Sequence, residues 1–185
     1  AYDEDGNIIE NVINVYASPL LDFNNPYVDR DTKRRLFSVF TLQANLYDGL
    51  TFNSNSGYDT RENLGDEFYG KNTTRRYMLR DSEGAYAKKS NSYTTNMTWD
   101  NILTYNKTFG KHSVHVTAVF SIQESKSKSF NAEGAGFPSD EMGNWNLSEA
   151  KYNIKNESSF GKSTWASFVG RIQYGYNDRY MVNVS

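Results

Sequence analysis

The regular alternation of apolar and polar side chains along this sequence is the feature that most constrains its fold. In residues 112–122 the even positions, such as Val116 and Phe120, are mostly apolar, whereas odd positions such as Ser113 and Thr117 mostly carry hydroxyl groups. A repeat of two residues is typical of a β-strand with one apolar face, and we find no segment with the helical repeat of about 3.6 residues. The alternation predicts six strands, at 36–47, 50–60, 93–107, 112–125, 163–176 and 179–185.

The connections between these predicted strands alternate in length. Asp48-Gly49 and Asn177-Asp178 predict two-residue hairpin turns, and residues 107–111 a short turn, because such turns need residues that accept positive φ angles. Long stretches rich in Asn, Ser, Gly, Lys and Glu separate the three turns. This alternation indicates an all-β, up-and-down antiparallel sheet with its elaborations at one end. We expect hairpins at 36–60, 93–125 and 163–185, long external loops at 61–92 and 126–162, and an external loop over 1–35 that leads into the first strand.

The same asymmetry is typical of a transmembrane β-barrel, in which periplasmic turns are short and extracellular loops are long. Aromatic side chains, which favour membrane interfaces, cluster beside the short turns at Tyr47, Phe109, Tyr174, Tyr176 and Tyr180. On this interpretation the lipid-facing residues include Val114, Val116, Phe120, Phe168, Ile172 and Val182. The polar residues that would face a water-filled lumen include His115, Arg171 and Gln173.

A soluble antiparallel sandwich would show the same alternation, with one face in its core and the other in water. Two polar loops of about thirty residues are uncommon in such a domain, which favours the barrel. The residue pattern nevertheless leaves an alternative. The chain could be a soluble or surface-exposed all-β glycan-binding domain that acts through tyrosine and tryptophan side chains.

The composition excludes several other classes of protein. With 0 Cys and 2 His in 185 residues, the chain has no disulfide framework, no cysteine zinc site and no set of groups for nucleophilic catalysis. A formal net charge of −2 argues against binding to nucleic acid. No apolar run is long enough for a transmembrane helix. We therefore expect no enzymatic activity, no cofactor, no metal site and no nucleic-acid partner.

Two places in the sequence are candidates for a functional role. The Gly-rich segment 131–149 presents Phe137, Asn144 and Trp145, and an aromatic side chain on a loop can stack on a sugar ring or dock a partner. Trp145 could equally well anchor its own loop. Arg171 falls on the lumen side of a transmembrane stretch, where a charge must face water or protein. We expect it to pair with a neighbouring residue or with a barrel plug rather than with substrate.

Five short motifs lie in order along the chain. They are NP at 25–26, DGLTF at 48–52, WDNILTYNKTFGKH at 99–112, FPSD at 137–140 and SFVGRIQYGYNDRY at 167–180. The last resembles the hairpin signature S-x-x-G-R-x-x-Y-x-Y-x-x-[KR]-Y of the SusC/RagA family of TonB-dependent outer-membrane transporters from Bacteroidetes. The third resembles that family's E-N-x-L-T-Y-x-K-x-F-G-K-H hairpin, with Asp100 where Glu is commoner. The other three are similar to turn and loop segments of the same family.

The resemblance implies that the chain is a section of a barrel of about 22 strands in the bacterial outer membrane. It implies a nutrient importer that takes up oligosaccharides, or peptides, together with a SusD-like surface lipoprotein. TonB would act through parts of the protein that are not in this chain. Because no plug or TonB box is visible, and the last predicted strand ends without a turn, we expect the chain to be a fragment.

Overall fold

Six β-strands form one sheet in this computed structural model, which describes residues 19–78 and 84–185. Each strand lies beside the next one along the chain, and the tight turns make hairpin partners antiparallel. The strands are β1 (Tyr27–Tyr47), β2 (Leu50–Tyr69), β3 (Ala85–Phe109), β4 (His112–Phe137), β5 (Tyr152–Tyr176) and β6 (Tyr180–Val184). The predicted all-β antiparallel sheet of six strands is therefore confirmed.

Five of the six strands are longer than the alternation predicted. β2 continues to Tyr69 and β5 already begins at Tyr152, so more than half of the predicted loops 61–92 and 126–162 is strand. Backbone hydrogen bonds to the neighbouring strand form a ladder whatever the side chains are. Where both faces of a strand are polar, the apolar alternation disappears although the ladder continues. The strand ends could therefore not be predicted from hydrophobic pattern.

Two five-residue helices occur in the described residues, where the sequence predicted none. Helix α1 (Leu20–Asn24) precedes β1, and helix α2 (Thr74–Met78) follows β2. The expectation of no helix was wrong because helices this short contain too few residues for a recognisable repeat. Asp22 connects the two helices: the Thr74 backbone N–H donates to Asp22 Oδ1 at 2.8 Å, and the Thr74 hydroxyl donates to the other carboxylate oxygen. No helix in the described part of the chain is long and apolar enough to cross a membrane.

The connections between hairpins are shorter than predicted once the strand extensions are counted. They comprise residues 70–84 and 138–151, and the second contains a 3-10 turn at Leu147–Glu149. Of the predicted loop segments, residues 1–18 and 79–83 lie outside the described residues. The expected division into hairpins and external loops therefore stays a prediction.

The strands pass through two compact units. The hairpin unit comprises Arg35–Arg61, Thr94–Ser127 and Phe160–Ser185. The loop unit comprises the described parts of Ala1–Arg34 and Glu62–Tyr93, together with Lys128–Ser159. The three tight turns belong to the hairpin unit, whereas both helices and both longer connections belong to the loop unit.

The turns of the hairpin unit have the backbone geometry that their residues predict. Gly49 lies between β1 and β2 with a φ of 79°. Asn177 and Asp178 also adopt positive φ angles, 51° and 54°. Tyr176 pairs with Tyr180 across the β5–β6 hairpin, so three residues separate the paired positions instead of the predicted two.

Side-chain contacts define two faces of β4–β6 in the hairpin unit. Phe120 stacks on Phe168 with ring centroids 4.6 Å apart, which places even-numbered residues of β4 and β5 on one side. A Cβ atom on Gly175 would collide with the Ser113 hydroxyl, which places odd-numbered residues on the other side. The first face continues onto β6 through the pairs Ile172–Val184, Tyr174–Val182 and Tyr176–Tyr180. We call this side the apolar face and the opposite side the polar face.

Large side chains on the apolar face are open to the surroundings. Phe168 is 81% exposed, Val182 59% and Ile172 54%. Soluble monomeric proteins rarely expose contiguous apolar surface of this kind. The polar face is not free of apolar groups, since it also carries Trp165 and Met181.

The loop unit has a small hydrophobic core of its own. Its buried members are Phe68, Ala85, Ala87 and Phe137. The rings of Phe68 and Phe137 meet edge to face, with centroids 6.4 Å apart. Val28, Leu147 and Ala150 pack against this group, so the 138–151 connection is attached to the strands by apolar contacts.

Candidate functional site

Trp145 lies on the surface of the loop unit beside charged groups. Its side chain is 82% exposed, so the ring does not anchor its own loop by burial. Lys89 Nζ lies 4.9 Å from the centroid of the indole ring, within the range of a cation–π contact. The exposed ring therefore combines a flat apolar surface with a positive charge over the ring.

Asp66 organises the residues around this ring. Lys89 Nζ donates to Asp66 Oδ1 at 3.0 Å, and the Asn144 side-chain amide donates to the same oxygen at 3.1 Å. Asn144 itself is only 6% exposed. We call Asp66, Lys89, Asn144 and Trp145 the Trp145 patch. A buried amide bonded to a carboxylate on β2 fixes the backbone next to Trp145, so the ring is held in place while it stays accessible.

The local backbone of the 138–151 connection explains why Trp145 projects outward. Gly143 has a φ of 55°, which glycine adopts without strain. The Gly143 N–H donates to the Asp140 carbonyl at 3.3 Å, and the Trp145 N–H donates to the Met142 carbonyl at 3.2 Å. Asp140 also accepts a hydrogen bond from the Lys71 backbone N–H at 3.2 Å. Consecutive tight turns reverse the chain and leave the indole on the outside.

Phe137, the third predicted contact residue of this region, lies in a different environment. Its ring is 8% exposed and belongs to the hydrophobic core of the loop unit. A ring that packs on Phe68 has little surface left for a ligand. The structure therefore gives Phe137 a packing role and places only Asn144 and Trp145 in the patch.

A second aromatic group in the loop unit, which the sequence did not predict, is formed by three tyrosines, of which Tyr69 is fully buried. The ring of Tyr69 lies 5.2 Å from that of Tyr27 and 5.8 Å from that of Tyr86, measured between centroids. The guanidinium of Arg75 lies 4.5 Å over the Tyr69 ring. We call Tyr27, Tyr69, Tyr86 and Arg75 the tyrosine cluster.

Acidic side chains bind the hydroxyl groups of this cluster. The Tyr69 hydroxyl donates to Glu67 Oε2 at 3.1 Å, and Lys88 Nζ donates to Glu67 Oε1 at 3.0 Å. Burial raises the pKa of the Tyr69 phenol above its ordinary value, and the charge of Glu67 raises it further. Burial also raises the pKa of Tyr86, with Glu133 as the next cause. Both tyrosines are therefore neutral hydrogen-bond donors at physiological pH.

No local pattern in the sequence shows which residues form the tyrosine cluster. Tyr27, Tyr69 and Tyr86 lie on three different strands, and only the pairing of β1, β2 and β3 brings them together. The composition contained a hint, because 14 of the 185 residues are tyrosine. That count does not say which tyrosines meet.

The predicted lumen-facing residues lie on the polar face of the hairpin unit and have local partners. His115 Nε2 lies 3.2 Å from the Thr117 hydroxyl. Arg171 Nε donates to the Ser185 hydroxyl at 3.2 Å, and Gln173 pairs with Asn183 in the β5–β6 register. None of these contacts forms a catalytic arrangement.

The described residues offer little for chemistry or for an enclosed ligand. Among them, no group of three His, Cys, Asp or Glu side chains is placed to hold a metal ion. One open cleft in the loop unit has a volume of about 270 Å³ and is lined in part by Glu133, Leu147 and Asn156. This is slightly below the roughly 300–1,000 Å³ of typical small-molecule pockets. The Trp145 patch is therefore an open binding surface, whereas the tyrosine cluster is closed at its centre, where Tyr69 is fully buried.

Comparisons with known proteins identify relatives of this chain. No family model matches it. TonB-dependent receptor P3 from Formosa agariphila is 27% identical over 166 residues, which is 86% of this chain and 16% of the receptor. The chain thus spans about a sixth of the length of that receptor.

Solved structures of the RagAB peptide transporter share the fold. One matches with a TM-score of 0.71 at 16% identity. The "closed-closed" and "open-open" states of the RagAB peptide importer match with TM-scores of 0.72 and 0.70, at 18% and 17% identity. Each match covers 97% of this chain and 20% of the solved chain. The chain is similar to a TonB-dependent receptor in sequence and to the RagAB transporter in fold, which confirms the predicted resemblance to the SusC/RagA family.

Proposed function

We propose that this chain is a section of the barrel wall of a TonB-dependent transporter that imports nutrients across the bacterial outer membrane. The observation that carries the proposal is the exposed apolar face of the hairpin unit, opposite a face lined by polar residues such as Arg171 and Gln173. A barrel wall needs one face for lipid and one for water. The likeness in fold to RagAB over 97% of the chain supports the same assignment.

The strand lengths in the hairpin unit fit a membrane. Phe160–Tyr176 gives 17 residues of β5 in this unit, whereas a tilted barrel strand needs about 9–11 to cross the hydrocarbon core. Tyr174, Tyr176 and Tyr180 lie at the turn end of the apolar face, where an aromatic girdle would meet the membrane interface. The strands are therefore long enough to cross and to continue into the water beyond.

We propose oligosaccharides as the substrate class, with peptides as the second candidate. The oligosaccharide assignment rests on the resemblance to the SusC/RagA family, and the peptide candidate is supported by the fold shared with a peptide importer. The partners would be a SusD-like surface lipoprotein and the TonB complex, which would act on parts of the transporter outside this chain. The barrel wall would perform no bond chemistry, consistent with relatives that are a receptor and a transporter.

Growth of a strain that lacks the full-length receptor tests the function directly. We expect the deletion to abolish growth on one class of oligosaccharide as sole carbon source while growth on glucose continues. Loss of growth on peptides alone would replace oligosaccharide by peptide as the substrate class. Normal growth on every oligosaccharide and peptide offered would contradict nutrient import.

Trp145 is the residue that we propose to contact substrate or the lipoprotein partner, with Asn144 holding it in position. In the full-length receptor, we expect Trp145→Ala to weaken binding by about tenfold, which is typical for loss of an aromatic contact residue. Met142→Ala is the matched control, because Met142 lies in the same connection and is 47% exposed. Titration of the receptor with the imported substrate, and separately with the lipoprotein, measures the effect. Equal affinities for the two variants would contradict a contact role for Trp145.

A soluble or surface-exposed glycan-binding domain is the alternative function. The exposed Trp145 patch favours it, since an open aromatic surface suits a sugar ring. The exposed apolar face of the hairpin unit disfavours it, because such a surface would aggregate in water. A chain that is monomeric and folds cooperatively without detergent would favour the glycan-binding domain over the transporter.

A further inference from the structure

A charged cluster interrupts the apolar face of the hairpin unit at the end remote from the turns. Glu124 on β4 forms ion pairs with Lys126 on the same strand and with Lys162 on β5, the latter at 2.7 Å. Both lysine side chains remain close to half exposed, 42% for Lys126 and 46% for Lys162. One carboxylate faces two ammonium groups, so the cluster has a net positive charge. We call these three residues the lysine cluster.

The lysine cluster lies on the apolar face itself. Phe120 and Phe168 stack on this face, and alternation along β4 and β5 places Glu124, Lys126 and Lys162 on the same side. Charged side chains on a lipid-facing surface are costly near the middle of a bilayer and cost little near its interfaces. The cluster therefore marks a level on this face where the hydrocarbon region would end.

The distance along β5 from the turn to the lysine cluster agrees with the thickness of a bilayer. From Tyr176 at the turn to Lys162 there are 14 residue steps, or about 46 Å of strand. At a barrel-strand tilt of about 40°, this corresponds to roughly 35 Å along the membrane normal. A hydrocarbon core is about 30 Å thick. The tyrosines and the lysine cluster would thus lie at opposite interfaces of one bilayer.

We infer that the lysine cluster is a binding site for the phosphate of an anionic lipid headgroup. The inference rests on the proposed function, because it needs the apolar face to contact lipid. Lys126 and Lys162 carry long apolar stems that can follow the sheet surface while the ammonium groups reach the headgroups. Glu124 holds the two ammonium groups together, and their exposed sides supply the donors for a phosphate. The attraction to anionic lipid is worth about 1 kcal/mol for each lysine near the surface, which corresponds to roughly fivefold in association for each.

A local fluorescence measurement tests this site in the full-length receptor. Thr164 lies on the apolar face two residues from Lys162, and the variant Thr164→Cys accepts a fluorophore there. The labelled protein is placed in bilayers that contain brominated phosphatidylglycerol or brominated phosphatidylcholine at equal density. We expect stronger quenching by the anionic lipid, with a severalfold preference. Replacing both lysines, as Lys126→Gln with Lys162→Gln, should abolish this preference.

Two further variants serve as controls. Lys126→Arg with Lys162→Arg preserves the charges and should preserve the preference. Lys155→Gln is matched to the loss of Lys162, because Lys155 is also 46% exposed and also forms an ion pair, with Glu157 at 2.9 Å. It should leave the preference unchanged. A preference that survives in the double glutamine variant, or that is lost equally in Lys155→Gln, would overturn the headgroup site.

The same measurement separates failure of this inference from failure of the proposed function. Equal quenching by the two brominated lipids would place Thr164 in the bilayer and would overturn only the headgroup site. Absence of quenching by both lipids would mean that this face does not contact lipid. That result would overturn the lysine-cluster proposal and the barrel-wall proposal together.

Discussion

At the scale of single residues, Gly49 combines two separate requirements for glycine. Its φ of 79° is one that L side chains rarely adopt, and a Cβ atom there would collide with the carbonyl oxygen of Asn106 on β3. The Asn106 N–H donates to the Gly49 carbonyl at 2.7 Å, which holds the two chains at this distance. Gly110 has a φ of 60° but no heavy atom within 4 Å of its Cβ position. A side chain at Gly110 would therefore meet backbone strain alone, whereas a side chain at Gly49 would meet both backbone strain and a steric collision.

Replacement of these glycines by alanine should therefore have unequal effects. We expect Gly110→Ala to lower the free energy of unfolding by about 1 kcal/mol through backbone strain alone. Gly49→Ala should cost about 2–3 kcal/mol, because the collision adds to the strain. Urea unfolding of the full-length receptor in liposomes measures both. A cost for Gly49→Ala no greater than that for Gly110→Ala would contradict the described contact with Asn106.

Tyr69 and Tyr86 should give the loop unit a dependence on alkaline pH. Their raised pKa values mean that the folded chain holds these protons more tightly than the unfolded chain, whose tyrosines titrate near pH 10. The stabilisation is complete below about pH 10 and is lost as the pH rises further. Tyrosinate absorbance is titrated in the full-length receptor and in its Tyr86→Phe variant. The variant should show one late-titrating phenol fewer than the unchanged receptor. Loss of a phenol with an ordinary pKa would contradict burial of Tyr86.

The sequence predicted some of these residues and not others, for physical reasons. Trp145 and Asn144 were identified because aromatic and amide side chains in a Gly-rich segment are easy to recognise. The burial of Phe137 was not foreseen, since it depends on Phe68, which is 69 positions earlier in the chain. Contacts between strands depend on register, and a single sequence with polar strand ends does not reveal the register.

At the scale of secondary-structure elements, β5 places two neighbouring residues on opposite faces of the sheet. Phe168 lies on the apolar face and is stacked on Phe120, whereas alternation places Ser167 on the polar face. Phe168 is also near the middle of the stretch from Lys162 to Tyr176. In the proposed barrel this position lies close to the centre of the bilayer.

An arginine at these two neighbouring positions should therefore have very different consequences. We expect Phe168→Arg to destabilise the full-length barrel by about 2–4 kcal/mol, the cost of a cation near the midplane. Ser167→Arg should cost about 1 kcal/mol or less, because its guanidinium would meet water. Urea unfolding in liposomes again measures the difference, and the yield of folded protein in the outer membrane provides a second readout. Similar costs at both positions would contradict the assignment of faces.

The strand content was predictable where strands have one apolar face and not where both faces are polar. All six strands were found from alternation, and Gly49 and Asn177 located their turns. The extensions of β2 to Tyr69 and of β5 back to Tyr152 were missed because their polar side chains resemble those of loops. Strand pairing there is maintained by backbone hydrogen bonds and by cross-strand ion pairs such as Lys88–Glu67.

At the scale of the whole molecule, we propose that the hairpin unit has one face towards lipid and one towards water. The alternation of side chains supports it from the sequence, and the exposed apolar face supports it from the structure. The chain spans only about a fifth of the RagAB transporter chains that share its fold. The two faces of the proposed barrel wall are therefore best tested in the full-length protein in a membrane.

Cysteine accessibility at four positions of β5 tests this assignment of the two faces, since the chain contributes 0 native Cys. Single variants Phe168→Cys and Ile172→Cys report on the apolar face, and Arg171→Cys and Gln173→Cys report on the polar face. In outer-membrane vesicles, we predict that a water-soluble maleimide modifies positions 171 and 173, whereas a fluorophore at 168 or 172 is quenched by brominated lipid. Equal modification of all four cysteines by the water-soluble reagent, without quenching by lipid, would contradict the transmembrane barrel.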